Sequence, residues 1–161
     1  MKRMIAILSL LSLLSVFGAN AMAASPRGVL ISQGLKFGQE LKAGNVEAIC
    51  KATGGMSTYV TNGKTTTSVQ KGSAQQCMGQ LIGKSGTYSS LAQLKKSGAF
   101  LYSLMTNSKA TASAKETDGF YNVEWKYSGD SVEINFVPYH GSWLAEGFGF
   151  VTPTGFSAST L

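Results

Sequence analysis

The chain has 161 residues, a formal net charge of +6, 43% hydrophobic residues and two cysteines. One domain accounts for this length, which excludes a multidomain enzyme and a polytopic membrane protein. The ordinary apolar content argues against a disordered chain.

The first 23 residues have the pattern of a secretory signal peptide. Met1-Lys2-Arg3 is a basic start, residues 5–17 are apolar apart from serines, and Ala21-Met22-Ala23 is a small-x-small cleavage pattern. The sequence therefore predicts a signal peptide over 1–23, a single domain over 24–152 and a frayed tail over 153–161. The short basic start is typical of bacteria and predicts the periplasm, with full secretion as the alternative. We expect no membrane-spanning segment, because no later apolar run reaches about 18 residues.

The two cysteines, Cys50 and Cys77, predict a disulfide, since an even pair in an oxidising compartment is usually bridged. The bridge would close a loop of about 28 residues and stabilise the fold by roughly 3 to 4 kcal/mol in the chain-entropy model. Two buried free thiols are the alternative. A metal site needs more ligands than these cysteines and the single histidine supply, and redox pairs are spaced more closely. We expect neither metal nor cofactor.

The first half of the domain predicts helices and one hairpin. Residues 27–43 have helical spacing, and Gly34 and Gly38 on the apolar face predict close packing, which would offset their cost of about 1 kcal/mol each. Asn45 is placed to cap a second, short helix. Asn62-Gly63, between two threonine-rich segments, predicts a tight hairpin turn.

Ser73 is placed to cap a third helix, whose apolar stripe includes Cys77. A short helix over 89–96 follows. Apolar residues occupy both alternating sets of positions in 99–105, which predicts a central strand covered on both faces. Alternating patterns then predict a meander of strands over 109–115, 121–127, 132–136 and 143–151. The fold class is α+β, with N-terminal helices packed on a curved, mostly antiparallel sheet.

The element order and two local patterns resemble the nuclear-transport-factor-2-like (NTF2-like) cone, shared by ketosteroid isomerases and small bacterial domains. The first pattern is residues 43–49, AGNVEAI, similar to the family's break between its first two helices. The second is residues 128–134, SGDSVEI, followed by residues 141–145, GSWLA, which resembles the terminal hairpin. Residues 99–115 depart from the family. The cysteine region also resembles periplasmic immunity proteins, although those are largely helical.

The resemblance implies an apolar pocket inside the cone. We expect Tyr102, Trp125, Phe148 and Phe150 to line it. Isomerase-like members use a carboxylate base and a tyrosine or protonated acid as oxyanion donor. Glu146 is the candidate base, because simple alternation gives it the same strand phase as Leu144, Phe148 and Phe150; a salt-bridged residue near the sheet edge is the alternative.

Tyr102 and His140 complete the candidate catalytic set. His140 lies in a Pro-Tyr-His-Gly turn without a plausible serine or cysteine nucleophile nearby in the sequence, so a solvated turn residue is the simpler interpretation. No glycine-rich phosphate loop, GxSxG elbow or HExxH helix is present in the sequence.

Charge divides unevenly along the chain, since no acid lies between Ala48 and Lys115. The simplest interpretation is that the acidic C-terminal strands fold against the basic half. The alternative is a cationic face that binds an anionic surface or an acidic protein. Its candidate residues are Lys51, Lys64, Lys71, Lys84, Lys95 and Lys96. We do not expect nucleic acid binding, because the compartment is wrong and no aromatic residues interleave with the lysines.

The sequence therefore predicts a non-enzymatic periplasmic or secreted module that binds an apolar small molecule or an envelope protein. An isomerase- or dehydratase-type enzyme with a pocket carboxylate is the alternative. The sequence leaves both a monomer and a homodimer open.

Overall fold

The computed structural model describes residues 26–61, 64–117, 119–152 and 155–160, without the side chains of 56–61, 64–67 and 155–160. The predicted signal peptide and the Asn62-Gly63 turn lie outside the described residues. No helix among those described is long and apolar enough to cross a membrane.

The chain is an α+β protein, as predicted. Its helices and strands, in chain order, are α1 Pro26–Ala43, α2 Val46–Ala52, β1 Gly55–Thr61, β2 Lys64–Gln70, α3 Ala74–Leu81, α4 Leu91–Met105, β3 Thr111–Thr117, β4 Phe120–Tyr127, β5 Asp130–Tyr139, β6 Ser142–Thr152 and β7 Gly155–Thr160.

The strands form two antiparallel sheets. β1 and β2 are a hairpin, and β3 to β7 are a five-stranded meander in which each strand pairs with the next in the chain. A parallel bridge between Thr53 and Ala145 links the segment before β1 to β6. Two-residue turns connect β4 to β5 and β5 to β6, and both have positive φ at each turn residue, as at His140 (45°) and Gly141 (76°).

The core lies between the helices and one face of the large sheet. Helix α1 packs along α4 and contacts β3 and β4, while α4 contacts β4 and β5. Trp125 is 1% exposed, and a Cβ at Gly34 would overlap its ring. At Gly38 a Cβ would lie 2.9 Å from the Met105 sulfur. The predicted close packing at Gly34 and Gly38 is confirmed.

The opposite face of the sheet is covered at one end. Val137 and Leu144 pair across β5 and β6 and are both buried, although they point away from the helices. A Cβ at Gly54 would come within 2.6 Å of Leu144 Cδ1. The segment leading into β1 therefore packs on the outside of β6, and β1 and β2 contact β6 and β5.

The disulfide between Cys50 and Cys77 is present, with 5.7 Å between the Cα atoms. It joins the last turn of α2 to α3. Both predicted helix caps are confirmed: Asn45 Oδ1 accepts from Ala48 N–H at 3.3 Å, and Ser73 forms a reciprocal capping box with Gln76. The bridge therefore closes the loop that carries the β1–β2 hairpin.

Two predicted elements differ in the structure. Residues 99–105 are not a strand; they continue α4, for which the sequence predicts an end at 96. The cause is packing at Gly98, which lies against the backbone of Leu41 in α1 and so keeps the two helices in close contact. The tail predicted to fray contains β7, whose backbone pairs with β6 from Gly147 to Thr152.

Candidate functional site

A groove opens where the helical layer ends over the large sheet. Helix α1 contacts β3 and β4, and α4 contacts β4 and β5. On β6, the Phe148 ring lies 6.0 Å from the Phe37 ring of α1, measured between centroids. A cavity of about 620 Å³ lies between α4 and β6, within the range of roughly 300–1,000 Å³ typical of small-molecule sites. We call it the α4–β6 groove.

One face of α4 forms the first wall of the groove. It contributes Gln93, Lys96, Ser97, Phe100 and Leu101, which recur at the three-to-four spacing that places side chains on one side of a helix. The polar members lie in the first half of this face and the apolar members follow.

Phe148 and Phe150 on β6 form the opposite wall. They pair with Ile134 and Val132 and so face the helices. The Phe100 ring meets the Phe150 ring edge to face, with 5.0 Å between centroids. Phe100 is nonetheless 52% exposed, so about half of its surface stays accessible to a ligand in the groove.

Thr87 and Tyr88 close one end of the groove. Their segment is held by the backbone, since Tyr88 N–H donates to Leu81 O at 2.9 Å and Gly83 N–H donates to Tyr88 O at 3.0 Å. Tyr88 is 6% exposed, and burial raises the pKa of its phenol to about 12. Tyr88 is therefore a neutral, rigid wall at physiological pH.

Lys96 is the charged residue of the groove. It is exposed, and no carboxylate oxygen of the described residues lies within 4.0 Å of its ammonium. The described residues that line the groove include no carboxylate. The groove thus combines aromatic walls with one cation that has no acidic partner in the described chain, which suits binding of an apolar or amphiphilic molecule.

The residues predicted to line a pocket fall into two groups. Phe148 and Phe150 lie in the groove. Trp125 lies in the core beneath α1, and Tyr102 packs beside Gly38 with Lys42 Nζ 5.1 Å from its ring centroid. The structure therefore does not bring these four aromatic residues together.

Leu144, Glu146, Phe148 and Phe150 do not share one strand phase, so that prediction is wrong. Asn135 pairs with Gly147 and Phe136 with Ala145, which leaves Glu146 as the extra residue of a β-bulge. The bulge puts Leu144 and Phe148 on opposite faces of the sheet. Glu146 is half-buried and is not among the residues that line the groove.

His140 is exposed in the β5–β6 turn, with its ring 4.4 Å from that of Tyr139 and edge to face. The nearby Ser142 hydroxyl donates to the Tyr139 carbonyl at 2.7 Å. Within the described part of the chain, no group of three or more His, Cys, Asp or Glu side chains could hold a metal ion.

The expected pairing between the acidic strands and the basic half is not seen among the described residues. Lys51 pairs with Glu47 at 2.6 Å within α2, and Lys126 pairs with Glu124 at 3.3 Å within β4. Lys71 instead donates to the Lys51 carbonyl at 2.7 Å. The candidate cations Lys84, Lys95 and Lys96 are exposed, and the side chain of Lys64 lies outside the described residues.

Sequence reasoning missed Tyr88, Lys96 and Phe100 as members of one site. A strand over residues 99–105 would put Phe100 in a different element from Lys96, whereas α4 places both residues on one face of a single helix. The helical signal is present in the sequence, since Gln93, Lys96 or Ser97, and Phe100 or Leu101 recur at three-to-four spacing.

Comparison of the chain with protein-family models, with curated proteins and with solved structures gives no match. The function must therefore be inferred from the groove itself.

Proposed function

We propose that this protein is an exported, non-catalytic module that binds an apolar small molecule in the α4–β6 groove. One observation carries the proposal. A cavity of about 620 Å³ has aromatic side chains on two walls, and one of these side chains, that of Phe100, is 52% exposed. Complete burial of an aromatic side chain removes 150–250 Å² of surface from water, and the gain in free energy is about 25 cal/mol per Å². A ligand that covers Phe100 would recover part of that free energy.

Two features support export. The first 23 residues have the signal-peptide pattern, and the disulfide between Cys50 and Cys77 fits an oxidising compartment. The periplasm is our preferred location.

The NTF2-like cone is our proposal for the fold family. Its support is the order of elements: two helices, a hairpin, further helices and an antiparallel meander on which α1 and α4 pack. Residues 99–115, where the sequence departs from the family pattern, contain the end of α4 and most of strand β3.

The isomerase- or dehydratase-type alternative requires a carboxylate base in the pocket. Among the described residues none lines the groove, and Glu146 occupies the bulge. Glu133, on β5, accepts a hydrogen bond from Asn122 at 3.1 Å. Binding is therefore the function that the groove supports best.

The test is titration with N-phenyl-1-naphthylamine, a neutral apolar fluorophore that brightens in dry sites. We expect saturable binding to the wild-type protein and weakening by about five- to tenfold in Phe100→Ala, since an aromatic pair and its buried area contribute on the order of 1 kcal/mol.

Val29→Ala is the matched control, because Val29 is 45% exposed on α1 and does not line the groove. Its affinity should equal that of the wild type. Absence of saturable binding, or equal weakening by both substitutions, would contradict the proposal.

A further inference from the structure

We infer that the ligand of the α4–β6 groove is a single-chain amphiphile with a carboxylate head, held by Lys96 with its alkyl chain between α4 and β6. This inference rests on the proposed binding function and adds the chemical class of the ligand.

The first argument is the cation in an aromatic site. Lys96 lines the groove, and among the described residues no carboxylate lies within 4.0 Å of it. Its neighbours on the same helical face, Gln93 and Ser97, are polar and uncharged. A ligand carboxylate would supply an anionic partner, and a charge-assisted hydrogen bond to it would be stronger than a neutral one.

The second argument is the order of side chains along α4. Gln93 and Lys96 precede Phe100 and Leu101, and an α-helix rises about 1.5 Å per residue. Polar and apolar lining are therefore separated along the helix axis, over roughly 12 Å from Gln93 to Leu101. Thr87 adds a hydroxyl from the segment that precedes α4. A molecule with a polar head and an apolar tail matches this order when it lies along α4.

The third argument is local charge. The groove walls from Thr87 to Leu101 belong to the stretch between Ala48 and Lys115, which contains no acidic residue. Lys84 and Lys95 are also exposed in this stretch. The α4 side of the groove and the segment before it therefore carry cations and no acidic residue, and this side favours an anion over a cation.

Gln93 is already oriented for such a head group. Its Oε1 accepts from the Ser89 backbone N–H and from the Ser89 hydroxyl, both at 2.8 Å. With the amide oxygen used in this way, the Nε2 group is left as a donor. Both Gln93 and Lys96 can then donate to one carboxylate.

The experiment compares three ligands with the same chain, dodecanoate, dodecanol and dodecyltrimethylammonium, by isothermal titration below their aggregation concentrations. We expect the wild-type protein to bind dodecanoate about five- to tenfold more tightly than dodecanol, with the cationic compound weakest. Raising the ionic strength should reduce the preference, because salt screens exposed charges.

Three variants locate the head group. Lys96→Met removes the charge, keeps most of the apolar stem and should bind dodecanoate and dodecanol equally. Lys96→Arg keeps the charge and should keep the preference. Lys95→Met is the matched control, since Lys95 packs against the Gly44 turn and does not line the groove; it should bind as the wild type does.

The outcomes separate the two proposals. If N-phenyl-1-naphthylamine and dodecanol bind but dodecanoate has no advantage, or if Lys95→Met removes the advantage as fully as Lys96→Met, the carboxylate inference is wrong and the binding function stands. If none of the apolar probes binds, both proposals fail. Tighter binding of the cationic compound would also overturn the inference.

Discussion

The indole ring of Trp125 in β4 lies directly on the backbone of Gly34 in α1, at a distance that leaves no space for a Cβ. Trp125 is 1% exposed and is the largest fully buried side chain among the described residues. Two features therefore set the position of the Trp125 ring: strand β4, which carries it, and Gly34, whose lack of a side chain leaves room for it on α1.

We predict that Gly34→Ala lowers the free energy of unfolding by about 1–3 kcal/mol. The methyl group forces a large buried ring to move, and overpacking of this kind exceeds the gain of up to about 1 kcal/mol from replacing a helical glycine. Urea denaturation measures the change. Gly28→Ala is the control on the same helix. A Cβ there would meet nothing within 4 Å, so this variant should be neutral or stabilising.

A double-mutant cycle tests the cause. In a Trp125→Leu background the ring is gone, so Gly34→Ala should cost much less than in the wild type. Equal costs in the two backgrounds would show that the clash with Trp125 is not responsible.

Gly98→Ala should be more damaging than Gly34→Ala. A Cβ at Gly98 in α4 would overlap backbone atoms of Leu41 and Lys42 in α1, and backbone cannot rotate away as a side chain can. We expect a loss of about 3 kcal/mol or more in the free energy of unfolding, near the upper end for overpacking. Gly79→Ala in α3, where the space is open, is the control and should retain wild-type stability in the same urea experiment.

Gly98 also explains where sequence reasoning succeeds and where it fails. The glycines of α1 predict close packing because the surrounding helical pattern is unambiguous. At Gly98 the sequence instead predicts a helix end, since a glycine followed by a short apolar run is compatible with a turn and a buried strand. Only the approach of Leu41, distant in sequence, shows that the helix continues to Met105.

The candidate site is predictable to a similar extent. Alternation along β6 identifies Phe148 and Phe150, which do line the groove. The same alternation gives Leu144, Glu146 and the two phenylalanines one shared face, whereas the β-bulge at Glu146 puts Leu144 on the opposite face. A bulge has no signal in a single strand and becomes visible only in the pairing of β6 with β5. The sequence identifies Lys96 as part of a charge pattern, but its place beside Phe100 depends on the continuation of α4, which the sequence reasoning misses.

Removal of the disulfide should lower the free energy of unfolding by about 3 to 4 kcal/mol, the loop-closure value for about 28 residues. The bridge joins α2 to α3 at the base of the β1–β2 hairpin. Guanidinium denaturation of the wild type with and without a thiol reductant measures the loss, and mass spectrometry after alkylation confirms reduction.

The control is a Cys50→Ala, Cys77→Ala double variant, whose stability should match that of the reduced wild type and should not respond to reductant. A reductant effect that persists in this variant would assign the loss to something other than the bridge.

Tyr88 should make the protein less stable in strong alkali. Burial raises its pKa to about 12 in the folded state, whereas an unfolded tyrosine titrates near 10. Between these values the folded chain retains a proton that the unfolded chain releases, so the free energy of unfolding falls as pH rises from about 10 to 12. The full loss would be roughly 2 to 3 kcal/mol, since one pKa unit corresponds to about 1.4 kcal/mol.

Tyr88→Phe removes the titrating hydroxyl and keeps the ring in the groove wall. Urea denaturation at pH 9 and pH 12 should therefore show a smaller pH-dependent loss in the variant than in the wild type, while other alkaline transitions affect both equally. Ultraviolet titration of the wild type should show one tyrosine ionising near pH 12 that is missing from the variant. Parallel stability profiles for the two proteins would mean that the Tyr88 hydroxyl is solvated in the folded chain, and that this end of the groove is open to water.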